Sequence, residues 1–199
     1  MAINPDRITG LVLAGGRGSR MGHVDKGLQQ FRGAPMVLHV IMRLSPQVGA
    51  MMINANQNLG PYEGFGLPVW PDQLTGFEGP LAGVQTGLAQ CDTEYMVTAP
   101  CDSPFLPANL VERLGAALLE NDAELAVAVT SEGETKQPHP VFCLMKSTLL
   151  PQLSDYLQSG GRKIDTWHRS LKMVEVHFDD ESAFRNINTI EELRRFETT

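Results

Sequence analysis

Positive charge is scarce in this chain. Sixteen lysines and arginines face 23 aspartates and glutamates, a formal net charge of −7 at neutral pH. A surface that neutralises nucleic-acid phosphates is basic, so no nucleic-acid partner is expected. Cysteine is scarce too: Cys91, Cys101 and Cys143 are scattered, without a C-x-x-C pair or metal-ligand spacing. An odd, dispersed set argues against a disulfide framework and suits a reducing compartment. No apolar run approaches the ~20 residues that span a bilayer. The N-terminus lacks the basic-then-apolar pattern of a secretory signal. No membrane partner is expected, and the expected setting is cytoplasmic. The five histidines are dispersed, with no Ser/His/Asp or H-E-x-x-H arrangement, so nothing suggests covalent catalysis. His139, between Pro138 and Pro140, reads as structural. No internal repeat or low-complexity segment is present.

What is present centres on residues 8–27. An apolar run, Ile8 to Ala14, reads as a buried strand and ends in a loop with glycines at 15, 16, 18 and 22. Glycine lets another group approach the main chain closely, and successive bare N–H groups cup an anion. Arg17, Arg20 and Lys26 add positive charge, so the loop reads as a phosphate site in an acidic protein. Two familiar phosphate loops do not fit. In G-x-G-x-x-G started at Gly16, the third glycine falls on Met21. In G-x-x-x-x-G-K-[ST], Gly22 and Gly27 have the spacing, but Leu28 follows.

The remaining chain alternates strands and helices. Helices are expected over Met36–Leu44, Pro80–Gln90, Pro107–Glu120 and Ser147–Gln158, with a break at Gly160-Gly161 and a further helix after it to about His168. Strands are expected over Val48–Ala55, Leu67–Trp70, Glu94–Ala99, Leu125–Thr130, Pro140–Met145 and Met173–Phe178. Phe31–Pro35 and Ser131–Lys136 read as turns, and the stretches between Asn56 and Leu67 and over Gly76–Gly79 as loops. Thr189 with Glu192 forms a capping box for a last helix. At 199 residues this is one domain, 1–199, of the α/β class with a mainly parallel, doubly wound sheet. Such sheets bind ligands beyond the carboxyl ends of their strands. Polar groups that follow four different strands would meet there: the glycine loop, Asn54, Asp72 and Asp102.

Asp102 lies in Pro100-Cys101-Asp102-Ser103-Pro104, whose prolines fix the backbone. It suits Mg²⁺, which takes one or two carboxylates plus phosphates and water, or a helix cap. Asp72 suits a base, a sugar hydroxyl, a metal or a turn. Asn54 suits a nucleobase or ribose edge, or strand termination. Gly79 and Gly83 would let a planar base lie against the backbone, or let a helix pack closely. Arg162 and Lys163 would meet an anionic acceptor or form a solvated face. Asn186 and Asn188 would tie the C-terminal segment to the site or cap the last helix.

The stretch Leu13-Ala14-Gly15-Gly16…Arg20-Met21-Gly22…Asp25-Lys26-Gly27 resembles the signature of Rossmann-like nucleotidyltransferases. Asn54-Ala55-Asn56, Pro71-Asp72, Gly79-Pro80-Leu81-Ala82-Gly83, Pro100-Cys101-Asp102-Ser103-Pro104, His139-Pro140 and Asn186-Ile187-Asn188-Thr189 follow in order. Together they resemble the molybdenum cofactor guanylyltransferase (MobA-like) family over nearly the whole chain. The resemblance implies a Rossmann-like three-layer sandwich and transfer of GMP from GTP to molybdopterin or Mo-molybdopterin, with pyrophosphate released. It implies nucleotide contacts from Leu13, Ala14, Gly15, Lys26, Asn54, Asp72 and Asp102, with Asp102 also on Mg²⁺; Gly16, Gly79 and Gly83 join the nucleotide-binding candidates as glycines that admit close backbone approach. Arg20, Lys26 and Asp102 would carry the catalysis. Residues of about 1–110 would bind the nucleotide. Those of about 111–199 would take the acceptor, through Arg162, Lys163, Asn186 and Asn188. Transient contact with cofactor-assembly proteins or molybdoenzyme chaperones is also implied. A cytidylyltransferase of the same cofactor, a sugar-phosphate nucleotidyltransferase and a non-catalytic nucleotide carrier share the same loop and stay open at this level.

Overall fold

The computed structural model describes residues 2–14, 25–74, 79–133 and 135–197. The expected strand at residue 8 is β1, Ile8–Leu13, buried on both faces as a central parallel strand must be. Residues 30–35 form a two-strand hairpin, β2 (Gln30–Phe31) and β3 (Ala34–Pro35), rather than an open turn. Positive φ at Arg32 and Gly33 closes it. Helix α1 spans Met36–Leu44 and buries Met36, Val37, Val40, Ile41 and Leu44, a single stripe at helical spacing. Strand β4 (Ala50–Asn54) follows, then α2 (Leu59–Glu63), β5 (Val69–Trp70) and α3 (Pro80–Ala89). Pro68 and Pro71 flank β5 and keep it to two residues.

Strand β6 (Tyr95–Pro100) is followed by α4 (Leu110–Glu120), β7 (Leu125–Glu132) and β8 (Thr135–Lys146). Helices α5 (Leu150–Gln158) and α6 (Ile164–His168), strand β9 (Met173–His177) and helix α7 (Ile190–Glu197) complete the chain. The main sheet has the order β5-β4-β1-β6-β8-β7-β9. Four pairings are parallel and the two made by β8 are antiparallel, so one strand runs against the other six. One apolar layer holds α1 and α4 against the sheet, and the opposite layer holds α3, α5 and α6. The result is the expected doubly wound three-layer arrangement. Strands from both halves of the chain share the one sheet.

Further stretches differ from expectation. The polar stretch 131–136 pairs as the end of the β7–β8 hairpin, with Ser131 opposite Lys136 and Glu132 opposite Thr135. Its polarity reflects an arm that projects into solvent, where both faces are wet. Strand β8 therefore starts before Pro140. Pro138 is tolerated because this part of β8 pairs only with β7, and the register shifts past Val127. Helix α2 arises where glycine and proline pointed to a loop. It forms because Tyr62 is completely buried against the α1 layer.

Candidate active site

The site lies at the carboxyl edge of the sheet, around β1. The chain returns from β1 through α1 to β4 on one side and reaches β6 through α3 on the other, so β1 and β6 flank a topological switch point. The neighbouring ends are stitched by the backbone: Ala14 N donates to Asn54 O (2.8 Å) and Cys101 N to Leu13 O (3.0 Å).

On the β4–β5 side, Asn54 is buried. Its amide donates to Trp70 O (3.0 Å) and to Asp72 Oδ1 (2.8 Å). Asn56 donates to the other carboxylate oxygen at 2.9 Å and accepts from Asp72 N at 2.8 Å. Asp72 is thus held by two asparagines that alternate along one extended segment. Helix α3 closes over them because Gly83 has no β-carbon: one built there would overlap Asn54 Oδ1 and lie 2.7 Å from Leu13 Cδ2. Gly79, with φ +117°, makes the bend that admits Pro80 as the first residue of α3.

On the β6 side, Lys26 leaves a single 3-10 turn, Lys26–Leu28. Its ammonium donates to Asp102 Oδ2 (3.2 Å) and Asn188 Oδ1 (2.7 Å). Asp102 is 9% exposed. Burial pushes its carboxyl above the ordinary value, against the downward pull of Lys26. Ile187 N donates to the Asp102 carbonyl at 2.8 Å, and Ser103 Oγ donates to Asn186 Oδ1 at 2.5 Å. The expected capping box is present: Glu192 N donates to Thr189 Oγ1 (3.1 Å), and Glu192 Oε2 accepts from Asn188 N (2.7 Å) and Thr189 N (3.1 Å). This box holds the turn that carries Asn188.

Of the expected site residues, the structure brings Leu13, Ala14, Lys26, Asn54, Asp72, Gly83 and Asp102 to one edge, with Gly79 opening α3 beside them. Gly15, Gly16 and Arg20 lie outside the described residues, as do residues 76–78 of the second glycine loop. The four acceptor candidates separate. Asn186 and Asn188 lie with Asp102 and Lys26. Arg162 and Lys163 lie in the α5–α6 turn, where Arg162 donates to Leu157 O (2.9 Å) and Gly161 O (2.6 Å). Asn56 and Ser103 join the site although sequence reasoning assigns them no role. Their signal in the sequence is membership of the Asn54-Ala55-Asn56 and Pro100-Cys101-Asp102-Ser103-Pro104 stretches. His139 stacks on Phe184 at 4.6 Å and shares a hydrogen bond of 2.8 Å with Thr130, a packed position in which burial lowers its pKa.

The residues present fit a divalent cation. Asp102 is a buried carboxylate whose ion-pair partner is already a cation, Lys26. The described residues contain no cluster of three or more His, Cys, Asp and Glu. Further ligands would then be phosphate oxygens and water, the mode in which Mg²⁺ is commonly held.

Residues 10–173 match the MobA-like NTP transferase domain. The chain is 58% identical over 197 residues to the molybdenum cofactor guanylyltransferase of Cupriavidus metallidurans, covering 98% of this chain and 97% of the relative. It is 55% identical to that of Bordetella petrii, covering 97% and 98%. Among solved structures, the molybdopterin-guanine dinucleotide biosynthesis protein A of Archaeoglobus fulgidus superposes with a TM-score of 0.76 at 22% identity, over 96% of this chain and 97% of that one. A 4-diphosphocytidyl-2C-methyl-D-erythritol synthase from Anaerococcus prevotii superposes equally well, 0.76 at 14% identity over 98% of each chain. At such identities the structural likeness is one of fold.

Proposed function

The chain belongs to the MobA-like NTP transferase family, and from that premise we propose that it transfers GMP from GTP to the phosphate of molybdopterin or Mo-molybdopterin. The product is the guanine dinucleotide form of the cofactor, and pyrophosphate leaves. The observation that carries this reading is identity above half, over nearly the whole chain, to molybdenum cofactor guanylyltransferases.

The geometry suits the chemistry. The acceptor phosphate is already anionic near neutral pH, so no general base is required. Bringing two polyanions together and stabilising the charge that develops on the α-phosphoryl group is a matter of positioning and electrostatics. Lys26 offers its ammonium to the triphosphate. Asp102 would hold Mg²⁺, which would supply charge neutralisation at phosphate oxygens. Asn54 and Asp72 orient the base or ribose under α3, with Gly79 and Gly83 leaving room. Leu13 and Ala14 line the start of the cradle, and Gly15, Gly16 and Arg20, outside the described residues, are proposed on sequence grounds to serve the phosphates. Asn186 and Asn188 bring the C-terminal segment to the acceptor side, and Arg162 and Lys163 add charge farther along it. In this division of labour, residues of about 1–110 serve the nucleotide and those of about 111–199 the acceptor, within one domain. The setting is the cytoplasm, consistent with three free thiols. Transient contact with assembly proteins or molybdoenzyme chaperones would pass the product on.

Pyrophosphate release from GTP in the presence of Mg²⁺ and molybdopterin tests the reaction, with CTP, ATP and UTP as competitors. Turnover restricted to GTP is expected; equal or faster use of CTP would overturn the guanylyl assignment. Asp102→Ala and Lys26→Ala are expected to fold and to lose roughly 10²–10³ in rate, the usual cost of one preorganised charge partner.

A further inference from the structure

Lys26 is flanked by two residues that the proposed chemistry does not use, Asp25 and Gly27. Both are gripped by one side chain from α2. The Asp25 carboxylate is 9% exposed and accepts two hydrogen bonds: Oδ1 from the Tyr62 hydroxyl at 2.5 Å and Oδ2 from Asn58 Nδ2 at 3.0 Å. Its backbone carbonyl accepts from Gln29 Nε2 at 3.2 Å. A carboxylate this buried is tolerated only when its oxygens are supplied with donors. Tyr62 is completely buried. Asn58 stands in the left-handed region, φ 54° and ψ 38°, which asparagine enters more readily than most residues. Its backbone starts α2 and its amide reaches back to Asp25.

On the far side of Lys26, a β-carbon at Gly27 would come 2.5 Å from the Tyr62 hydroxyl and 3.2 Å from Cys101 Cβ and Sγ. Cys101 is the residue before Asp102. The Tyr62 hydroxyl therefore bears on residues 25 and 27 together, and Gly27 packs in turn on the segment that carries Asp102. The backbone on both sides of Lys26 is fixed from α2, which leaves only the flexible lysine stem to vary.

We propose that Tyr62, with Asn58, is a positioning residue for the transfer: through the Asp25 carboxylate and the close fit at Gly27 it holds Lys26 so that the ammonium meets the triphosphate beside Asp102. The kinetic consequence rests on the guanylyl-transfer reading, but the positioning itself does not.

Two variants remove the donors one at a time. Tyr62→Phe keeps the ring that fills the core. Asn58→Gly keeps the left-handed backbone at no steric cost. The first measurement needs no turnover. Nitrogen-15 NMR of the lysine side chains reports whether the Lys26 ammonium, identified by its loss in Lys26→Ala, is held against solvent exchange. A resonance visible in the unaltered protein and broadened away in both variants is expected. Retention in either variant, or absence from the unaltered protein, overturns the proposal. The second measurement is pyrophosphate release. Tyr62→Phe is expected to lower kcat about tenfold to a hundredfold, the scale of a displaced catalytic group, with KM for GTP within about twofold. Made on top of Lys26→Ala, it is expected to cost less than about twofold, because its effect runs through that lysine. An equal loss in both backgrounds, or none in the unaltered one, overturns the proposal. A protein that releases no pyrophosphate from GTP refutes the guanylyl-transfer reading, and the ammonium resonance still decides the positioning.

Discussion

Replacing Gly83 with alanine separates a nucleotide-facing role for Asn54 from a purely architectural one. The new β-carbon would overlap Asn54 Oδ1 and lie 2.9 Å from its Cγ and 2.7 Å from Leu13 Cδ2. Asn54 cannot swing away cheaply, because its amide is committed to Trp70 O and to the Asp72 carboxylate. Alanine in mid-helix gains about 1 kcal/mol over glycine. Overpacking costs about 1–3 kcal/mol. Loss of the bonds to the carbonyl and the carboxylate adds about 2–4 kcal/mol. The unfavourable side wins by about 2–6 kcal/mol, a fall in Tm of at least roughly 4 °C for a chain of this size, at about 2–4 °C per kcal/mol.

Gly87, one turn farther along α3, supplies the control. A β-carbon there would overlap Leu11 Cδ2 and lie 3.0 Å from Met96 Sδ. Both are ends of flexible side chains in the core, away from Asn54 and Asp72. Gly87→Ala is expected to shift Tm by a smaller amount and to leave nucleotide binding alone. The assay is thermal unfolding paired with isothermal titration of GTP at a temperature where both variants are folded. Gly83→Ala should lose at least tenfold in GTP affinity, equivalent to about 1.4 kcal/mol, and Gly87→Ala less than twofold. Unaltered GTP affinity in folded Gly83→Ala would refute the placement of the base or ribose at Asn54 and Asp72.

Three further outcomes are expected. His168 is buried, its Nε2 has no hydrogen-bond partner among the described residues, and burial lowers its pKa to about 4. The unfolded chain binds this proton first as pH falls from about 6.5 towards 4, so its contribution is full above that window and lost through it. The shift corresponds to about 3 kcal/mol, and urea titrations of His168→Gln should show a pH slope flatter by that order. Burial holds the Asp102 carboxyl of the metal-free protein above the usual aspartate value, so carboxyl-carbon NMR without metal should show it titrating at higher pH than a solvent-exposed aspartate, and a coincident titration would refute the burial argument. Its stability contribution has the opposite sense to that of His168, largest at low pH and lost as pH rises through the raised value. Thr189→Ala removes the hydroxyl from the capping box and should cost about 1 kcal/mol. Because the box holds the Asn188 turn, KM for the acceptor should rise more than KM for GTP. Equal rises would separate α7 from the acceptor side.

Much of the scaffold was legible locally because its determinants are local. The apolar stripe from Met36 to Leu44 predicts α1 to the residue, and Thr189 and Glu192 form the capping box that their spacing announces. Alternating strand and helix patterns imply a doubly wound sheet, and a doubly wound sheet collects Asn54, Asp72 and Asp102 at one edge. Other features depended on contacts that no local pattern encodes. The reversed strand β8 is set by its pairing with β6 and β7, and a strand's apolar pattern is the same in either direction. Helix α2 exists because Tyr62 has a cavity to fill and Asp25 to meet, although Gly60 and Pro61 locally disfavour a helix. The bond from Lys26 to Asn188 joins residues 162 apart in the chain, and it separates Asn188 from Arg162, which stays in its own turn. Periodicity and capping act over a few residues and can be read along a line. The position of a buried carboxylate, phenol or ammonium is decided by whichever distant partner satisfies it, and only the folded chain brings that partner near.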